Sequence, residues 1–260
     1  MKKRNVYYAG LAPLRAVFDA GLLVLCYHKV SRKPWRAQVR STFIAPRTFA
    51  RQMRELQANG YRSVGLENRA GHRAAAGGRE VVLTFDDGSA SALQAAVPVM
   101  AECGFRAINY LVADLIGRVN EWDTVRGEVP DRLMNEAEVH EWMAAGHAIG
   151  AHTRTHPALT KIPADRAREE ISGSKKILED RFGVEVKHFC YPYGKVSPAV
   201  RDMVAEAGYE TAVTTEPGVW TEETDPWLIP RLSARGHSLN FRNVFRLLTG
   251  RLGASSAPAQ

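Results

Sequence analysis

Seven short apolar, β-branched runs separated by helical stretches constrain this 260-residue chain more than anything else in it. Strand and helix signals in alternation are the pattern of α/β units built around a parallel sheet. The runs fall at 22–27, 81–85, 107–112, 147–151, 187–191, 210–214 and 227–232. Helices are expected between several of them. Phe49, Met53 and Leu56 recur at helical spacing before Asn59-Gly60, and Asn135 with Glu138 makes a capping pair ahead of Val139, Trp142 and Met143, with Gly146 as the stop. Ile171, Leu178 and Phe182 line one face of a charged helix that ends at Gly183. Ser197-Pro198 opens another, carrying Val200, Met203 and Val204 as far as Gly208.

The chain can bury a full core at this length with 45% hydrophobic residues, and one main domain is expected over 22–240. Residues 1–21 are expected to be an N-terminal extension, and 241–260 a basic amphipathic segment with a disordered tail. In that segment Phe241, Phe245, Leu248 and Leu252 interleave with Arg242, Arg246 and Arg251, which suits either a membrane surface or packing on the main domain. The formal charge of +7 points to an acidic partner, either an anionic substrate or an anionic membrane. No helix-turn-helix, zinc-finger or RNP-like motif accompanies that charge, so nucleic acid is not expected.

Three cysteines, Cys26, Cys103 and Cys190, cannot all pair and form no Cys-x-x-Cys. Cys26 and Cys190 lie in strand-like runs and read as small buried hydrophobes, which favours a reducing compartment. Met1-Lys2-Lys3-Arg4 resembles the start of a signal, but Arg15 and Asp19 interrupt the stretch that would follow. The clean apolar run at 22–27 is too short to span a bilayer and has no small-residue cleavage site after it. No removed signal and no transmembrane helix are expected. The expected location is cytoplasmic, peripheral at the inner membrane surface.

Chemistry concentrates in two places. The run Leu83-Thr84-Phe85-Asp86-Asp87-Gly88 ends a buried strand in a tight loop, so both aspartates sit at the strand's carboxyl end. His152-Thr-Arg-Thr-His156 follows another apolar run in the same way. An Asp-Asp-Gly after a strand is often only a turn, and two histidines four apart are often surface residues. Together they offer complementary ligands at strand ends, where α/β barrels gather catalytic groups. A zinc-type catalytic site takes three protein ligands and keeps one position open. Asp87, His152 and His156 can serve as those ligands, which leaves Asp86 for proton transfer.

The ordered set Tyr27-His28, Thr84-Phe85-Asp86-Asp87-Gly88, His152-Thr-x-x-His156-Pro157 and Tyr191-Pro192-Tyr193-Gly194 resembles the polysaccharide deacetylases of the NodB-homology type, carbohydrate esterase family 4. Smaller matches are Gly146-His147-x-Ile149-Gly150 and Gly117 followed by Trp122-Asp123. The Tyr27-His28 pair is similar to the branch that contains the poly-N-acetylglucosamine deacetylases. The resemblance implies a distorted (β/α)7 barrel and metal-dependent removal of acyl groups from glycans. It implies Asp87, His152 and His156 as metal ligands, Asp86 as catalytic base, the Tyr193 backbone N–H facing the oxyanion, and His28 as general acid. Zn²⁺ is the expected ion, with Co²⁺, Ni²⁺ and Fe²⁺ also suited to the set.

Many family members carry an arginine where this chain has Cys190, and that arginine orients the base. Arg231, in Pro230-Arg231-Leu232, is expected to supply the missing charge. His237 is a rival to His28 as the acid. His140, His147, His72 and His188 read as structural or solvated. The expected substrate is an N-acetylated glycan or a lipid-linked aminosugar. Deformylation or deacetylation of a small or lipid-linked sugar conjugate, and an inactive glycan-binding barrel, are the alternatives; the intact Asp86, Asp87, His152 and His156 speak against the last. The oligomeric state is left open.

Overall fold

A computed structural model describes residues 21–37, 42–67, 79–124 and 128–234. The N-terminal extension, His72, His237, the amphipathic segment and the tail lie outside these residues. In chain order the elements are β1 (Leu23–Tyr27), β2 (Lys29–Val30), β3 (Phe43–Ile44), α1 (Pro46–Ala58), β4 (Arg62–Ser63) and β5 (Glu80–Phe85). They continue with α2 (Val97–Cys103), β6 (Ile108–Leu111), α3 (Glu121–Thr124), α4 (Glu136–Ala144) and β7 (Ala148–Ala151). The last are α5 (Ala164–Phe182), β8 (His188–Cys190), α6 (Pro198–Glu206), β9 (Thr211–Val213) and β10 (Leu232–Ser233).

The main sheet runs in the order β10-β1-β5-β6-β7-β8-β9, with β4 beside the start of β5, and every pairing between its strands is parallel. All seven apolar runs therefore enter one sheet. The last differs from expectation, because its regular strand is the short β10 rather than 227–232. Ile229 bridges Val213 of β9 in parallel, whereas Leu232 and Ser233 register with Leu25 and Cys26 of β1. The segment must cross from one neighbour to the other, and Pro230, with no N–H to give, stands at the changeover. That crossing closes the sheet into a barrel.

Alternation along the strands explains why they read as continuous apolar text. Leu23, Leu25 and Tyr27 of β1 and Val81, Leu83 and Phe85 of β5 face outward, into a cluster with Phe49, Met53 and Leu56 of α1 and Trp142 of α4. Val24, Val82, Ile108, Tyr110, Cys190, Val213 and Ile229 face inward and fill the lumen. Strands covered on both faces have no polar face to show. The Tyr110 ring fills the lumen only because position 150 is glycine, since a Cβ there would stand 2.5 Å from Tyr110 Cδ1.

The expected helices form, each with a local cause. At α4 the Asn135 side chain accepts from the Glu138 N–H at 2.9 Å while Glu138 Oε2 accepts from the Asn135 N–H at 2.9 Å. Pro198 opens α6, and the Ser197 side chain caps it. Sequence periodicity missed the helical stretch from Ala92 through α2, which opens on a π-type turn at Ala92–Ala96 and mixes small buried residues with Pro98. Among the described residues no helix is long and apolar enough to cross a membrane.

Candidate active site

The site sits at the carboxyl ends of the parallel strands. The Asp86 N–H donates to the Tyr27 carbonyl at 3.0 Å, which extends the β1·β5 pairing by one residue. Asp86 thus takes the inward position after Val82 and Thr84. At Asp87 the backbone turns left-handed, with φ of 75°, and Gly88 follows at 77°. The four non-glycine residues with positive φ among the described residues are Asp87, Thr153, His156 and Tyr193, all at this site. Left-handed backbone is costly for residues with a Cβ and persists where the surroundings enforce it.

Asp87, His152 and His156 converge. Their ligand atoms lie within 4.8 Å of one another. Asp87 Oδ1 is 3.6 Å from His152 Nε2 and 3.5 Å from His156 Nε2. Two ligands each about 2.1 Å from one ion at a tetrahedral angle stand ~3.4 Å apart, so Asp87 lies at ligand spacing from both imidazoles and the three residues fit a divalent metal. His152 Nδ1–H donates to the Cys190 carbonyl at 2.7 Å, which leaves the Nε2 lone pair for the ion. His156 Nδ1 is 3.2 Å from the Tyr193 hydroxyl, and its ring stacks on Trp122 at 4.1 Å.

Charge favours the ligating forms of His156 and Asp87. At His152 burial works to lower the imidazole, but Cys190 and the Asp87 hydrogen bond outweigh it and raise it, so an ion there competes with a proton. Burial pushes His156 down to about 3, helped by neighbouring His152, so its imidazole is neutral at physiological pH. Burial raises the Asp87 carboxyl, but the His152 hydrogen bond and the charge of His28 outweigh it and hold Asp87 below the usual carboxylate range.

Asp86 is held separately. Arg231 Nη1 and Nη2 each donate to one of its carboxylate oxygens, both at 2.7 Å. The remaining guanidinium N–H groups reach the Thr214 carbonyl at 2.8 Å, Thr84 Oγ1 at 3.0 Å and Cys190 Sγ at 3.3 Å, so all five donors have acceptors. Arg231 is 1% exposed and Asp86 2%. Burial works to raise the Asp86 carboxyl, yet the charge and hydrogen bonds of Arg231 keep it well below the ordinary value.

Cys26 Sγ is a further donor to Asp86, at 3.5 Å. His28 Nε2 stands 3.8 Å from Asp86 Oδ2, and its side chain is 22% exposed where Asp86 is 3%. It is a partly open member of the site.

Asp86, Asp87, His28, His152, His156, Tyr193 and Arg231 lie in this one constellation, and His237 lies outside the described residues. Tyr193, named for its backbone N–H, also has φ of 60° and touches His156 through its phenol. Gly194 beside it has no room for a side chain, since a Cβ would meet Thr215 Oγ1 at 1.9 Å. The sequence carried no signal for the contacts of Thr84 or for Trp122 stacking on a histidine. Cys26 and Cys190 read as plain hydrophobes, yet both touch the Asp86–Arg231 pair.

A parallel barrel with a carboxylate and two imidazoles at ligand spacing, and a second carboxylate clamped beside them, is the arrangement of a hydrolase with a candidate metal site. The family model for polysaccharide deacetylases matches residues 73–212. The chain belongs to the polysaccharide deacetylase family. It is 24% identical over 216 residues to the YxkH protein of Bacillus subtilis strain 168, covering 82% of this chain and 71% of that protein. A chitooligosaccharide deacetylase of Azorhizobium caulinodans is 34% identical over 88 residues, which are 34% of this chain and 39% of the relative. In fold, the chain is similar to the structure of IcaB from Ammonifex degensii, with a TM-score of 0.72 at 23% identity over 86% of this chain and 96% of that one.

Proposed function

We propose that this protein removes N-acetyl groups from an N-acetylated glycan or a lipid-linked aminosugar by metal-assisted hydrolysis. The observation that carries the reading is the pairing of an ion-sized pocket with a second, separately clamped carboxylate. A binding barrel has no use for Asp86 held by five-donor Arg231 next to Asp87, His152 and His156. Family membership and a relative named for chitooligosaccharide deacetylation support the substrate class.

Asp87, His152 and His156 would hold the ion, with Zn²⁺ the expected one. When bound there, a divalent ion supplies a Lewis acid that activates water and polarises the amide carbonyl. Asp86 takes the proton of the attacking water. Arg231 engages one lone pair on each of its oxygens, and a carboxylate has about four such sites, so a lone pair remains to accept. The depressed Asp86 keeps this base ionised across neutral pH.

The Tyr193 N–H donates to the oxyanion as the carbonyl becomes tetrahedral, a contribution of ~3 kcal/mol for one such donor. His28, partly open beside Asp86, gives its proton to the departing amine. We place the protein in the cytoplasm with a peripheral contact at the inner membrane surface, supported by its charge of +7.

The test is acetate release from N-acetylglucosamine oligomers by the purified chain, after chelation and after metals are restored. Acetate that disappears with chelator and returns with Zn²⁺ is expected. Formate release from N-formylated aminosugars in place of acetate would redirect the reading to deformylation, and no release from either would refute it.

A further inference from the structure

One carboxylate of the barrel wall has no part in the chemistry above. Glu170 lies on the buried face of α5, in line with Ala167, Ile171, Ser174 and Leu178, and is 0% exposed. Its Oε2 accepts the backbone N–H groups of Arg154 at 2.9 Å and Thr155 at 2.8 Å. Its Oε1 accepts from the Thr155 hydroxyl at 2.6 Å and from Arg166 Nη2 at 2.9 Å. Arg154 and Thr155 lie between the two histidine ligands. Successive backbone N–H groups next to a left-handed residue, here Thr153 with φ of 66°, make a concavity that binds anions. Glu170 is that anion.

The loop needs such a tie. It must place His152 and His156 Nε2 on the same carboxylate oxygen across three intervening residues, and it does so with two non-glycine residues, Thr153 and His156, in left-handed backbone. Within the loop, Thr153 Oγ1 accepts from the His156 N–H at 2.9 Å, which closes the turn locally. Asp114 takes the Arg154 side chain at 3.0 Å from outside. Glu170 alone among these contacts reaches the N–H groups at the loop's crown from the packed side of a 19-residue helix. Its ion partner Arg166 has a side chain 47% exposed, so Arg166 can turn to solvent while the loop's N–H groups cannot.

We infer that Glu170 is a positioning residue for the metal ligands, setting metal affinity through the backbone of Arg154 and Thr155 without touching ion or substrate. The inference rests on Asp87, His152 and His156 holding a divalent ion. The test is the Zn²⁺ affinity of the full chain, measured by competition with a chromophoric chelator, together with hydrogen exchange at the Arg154 and Thr155 amides.

Glu170→Ala is expected to weaken zinc binding by roughly 10- to 100-fold and to speed exchange at both amides. Glu170→Gln keeps one oxygen for both N–H groups and offers its NH₂ to the Thr155 hydroxyl, so it is expected to stay within roughly threefold of wild type. Ile171→Ala, in the core one residue on, is expected to lower the melting temperature and leave zinc affinity unchanged. Glu170→Asp keeps the charge but withdraws it by one methylene; it is expected to weaken zinc binding and stands in should Glu170→Ala not fold.

Wild-type affinity in Glu170→Ala or Glu170→Asp, or an equal loss in Ile171→Ala, overturns the inference. Failure of the wild-type chain to bind zinc would instead overturn the metal reading of the three ligands.

Discussion

Replacing Arg231 with alanine isolates what the clamp does for the base. In the native structure two charge-assisted bonds of 2.7 Å hold a fully buried carboxylate in its ionised form. Removing one partner of such a buried pair costs about 3–5 kcal/mol, because the remaining charge is left without compensation. Asp86 escapes part of that cost by taking a proton. With the main opposing charge gone and only His28 and His152 left to lower it, burial raises its pKa, by at most roughly 3–5 units for a fully buried group.

The two proteins should therefore respond to pH with opposite sign. In the wild type the depressed carboxyl contributes stability that is present above the ordinary carboxylate range and lost as pH falls through its lowered value. In Arg231→Ala the raised carboxyl destabilises the fold as pH rises from the unfolded value towards the folded one. The stability gap measured by urea unfolding should thus be wider at about pH 7.5 than at about pH 5. In kcat/KM, the acidic limb of the pH profile should move upward. The rate near neutrality should fall by about 10²-fold or more, the contribution of a positioned base.

Arg231→Lys should recover little, since an ammonium has three donors against the five in use and no planar fork for the carboxylate. An unchanged acidic limb in Arg231→Ala, with a stability gap that does not depend on pH, would refute the reasoning.

Asp87→Asn should lose bound metal, whereas Asp86→Asn should keep it, measured by elemental analysis after dialysis, and lose about 10²- to 10⁴-fold in rate. Near-native turnover in Asp86→Asn would remove Asp86 from its role as base. His28→Ala should retain metal and substrate binding but turn over slowly, most of all with poor amine leaving groups; a normal rate there combined with a slow His237→Ala would transfer the acid role. Asn135→Ala should cost about 1 kcal/mol of stability by opening the capping box of α4, with kcat unchanged. Both are read by thermal unfolding and steady-state kinetics.

Legibility in the sequence tracked the range over which each feature is built. The strands at 81–85 and 147–151 were plain because burial on both faces leaves unbroken apolar runs, and the motifs that follow them carry their own turn residues. Asp86-Asp87 and His152-x-x-x-His156 could be read as a base and three ligands from residue type alone. The span 227–232 was less legible, because its conformation answers to two different neighbouring strands. Arg231 could be nominated only as a missing charge, since it meets Asp86 across 145 residues of sequence. Glu170 was invisible: in a helix rich in Arg, Lys and Glu it looks like one more solvated charge, and only packing shows that it faces inward.

The sequence by itself determined the alternation of strands and helices, the caps that bound them and the identity of the groups that can ligate a metal and move a proton, because these depend on local periodicity and side-chain chemistry. The tertiary structure decided the closure at Ile229 to Ser233, the orientation of Asp86 by Arg231, the His152 tautomer set by the Cys190 carbonyl, and the hold of Glu170 on the ligand loop. Each of these joins residues far apart in the chain, and each exists only once barrel closure has excluded water and left the buried polar groups to satisfy one another.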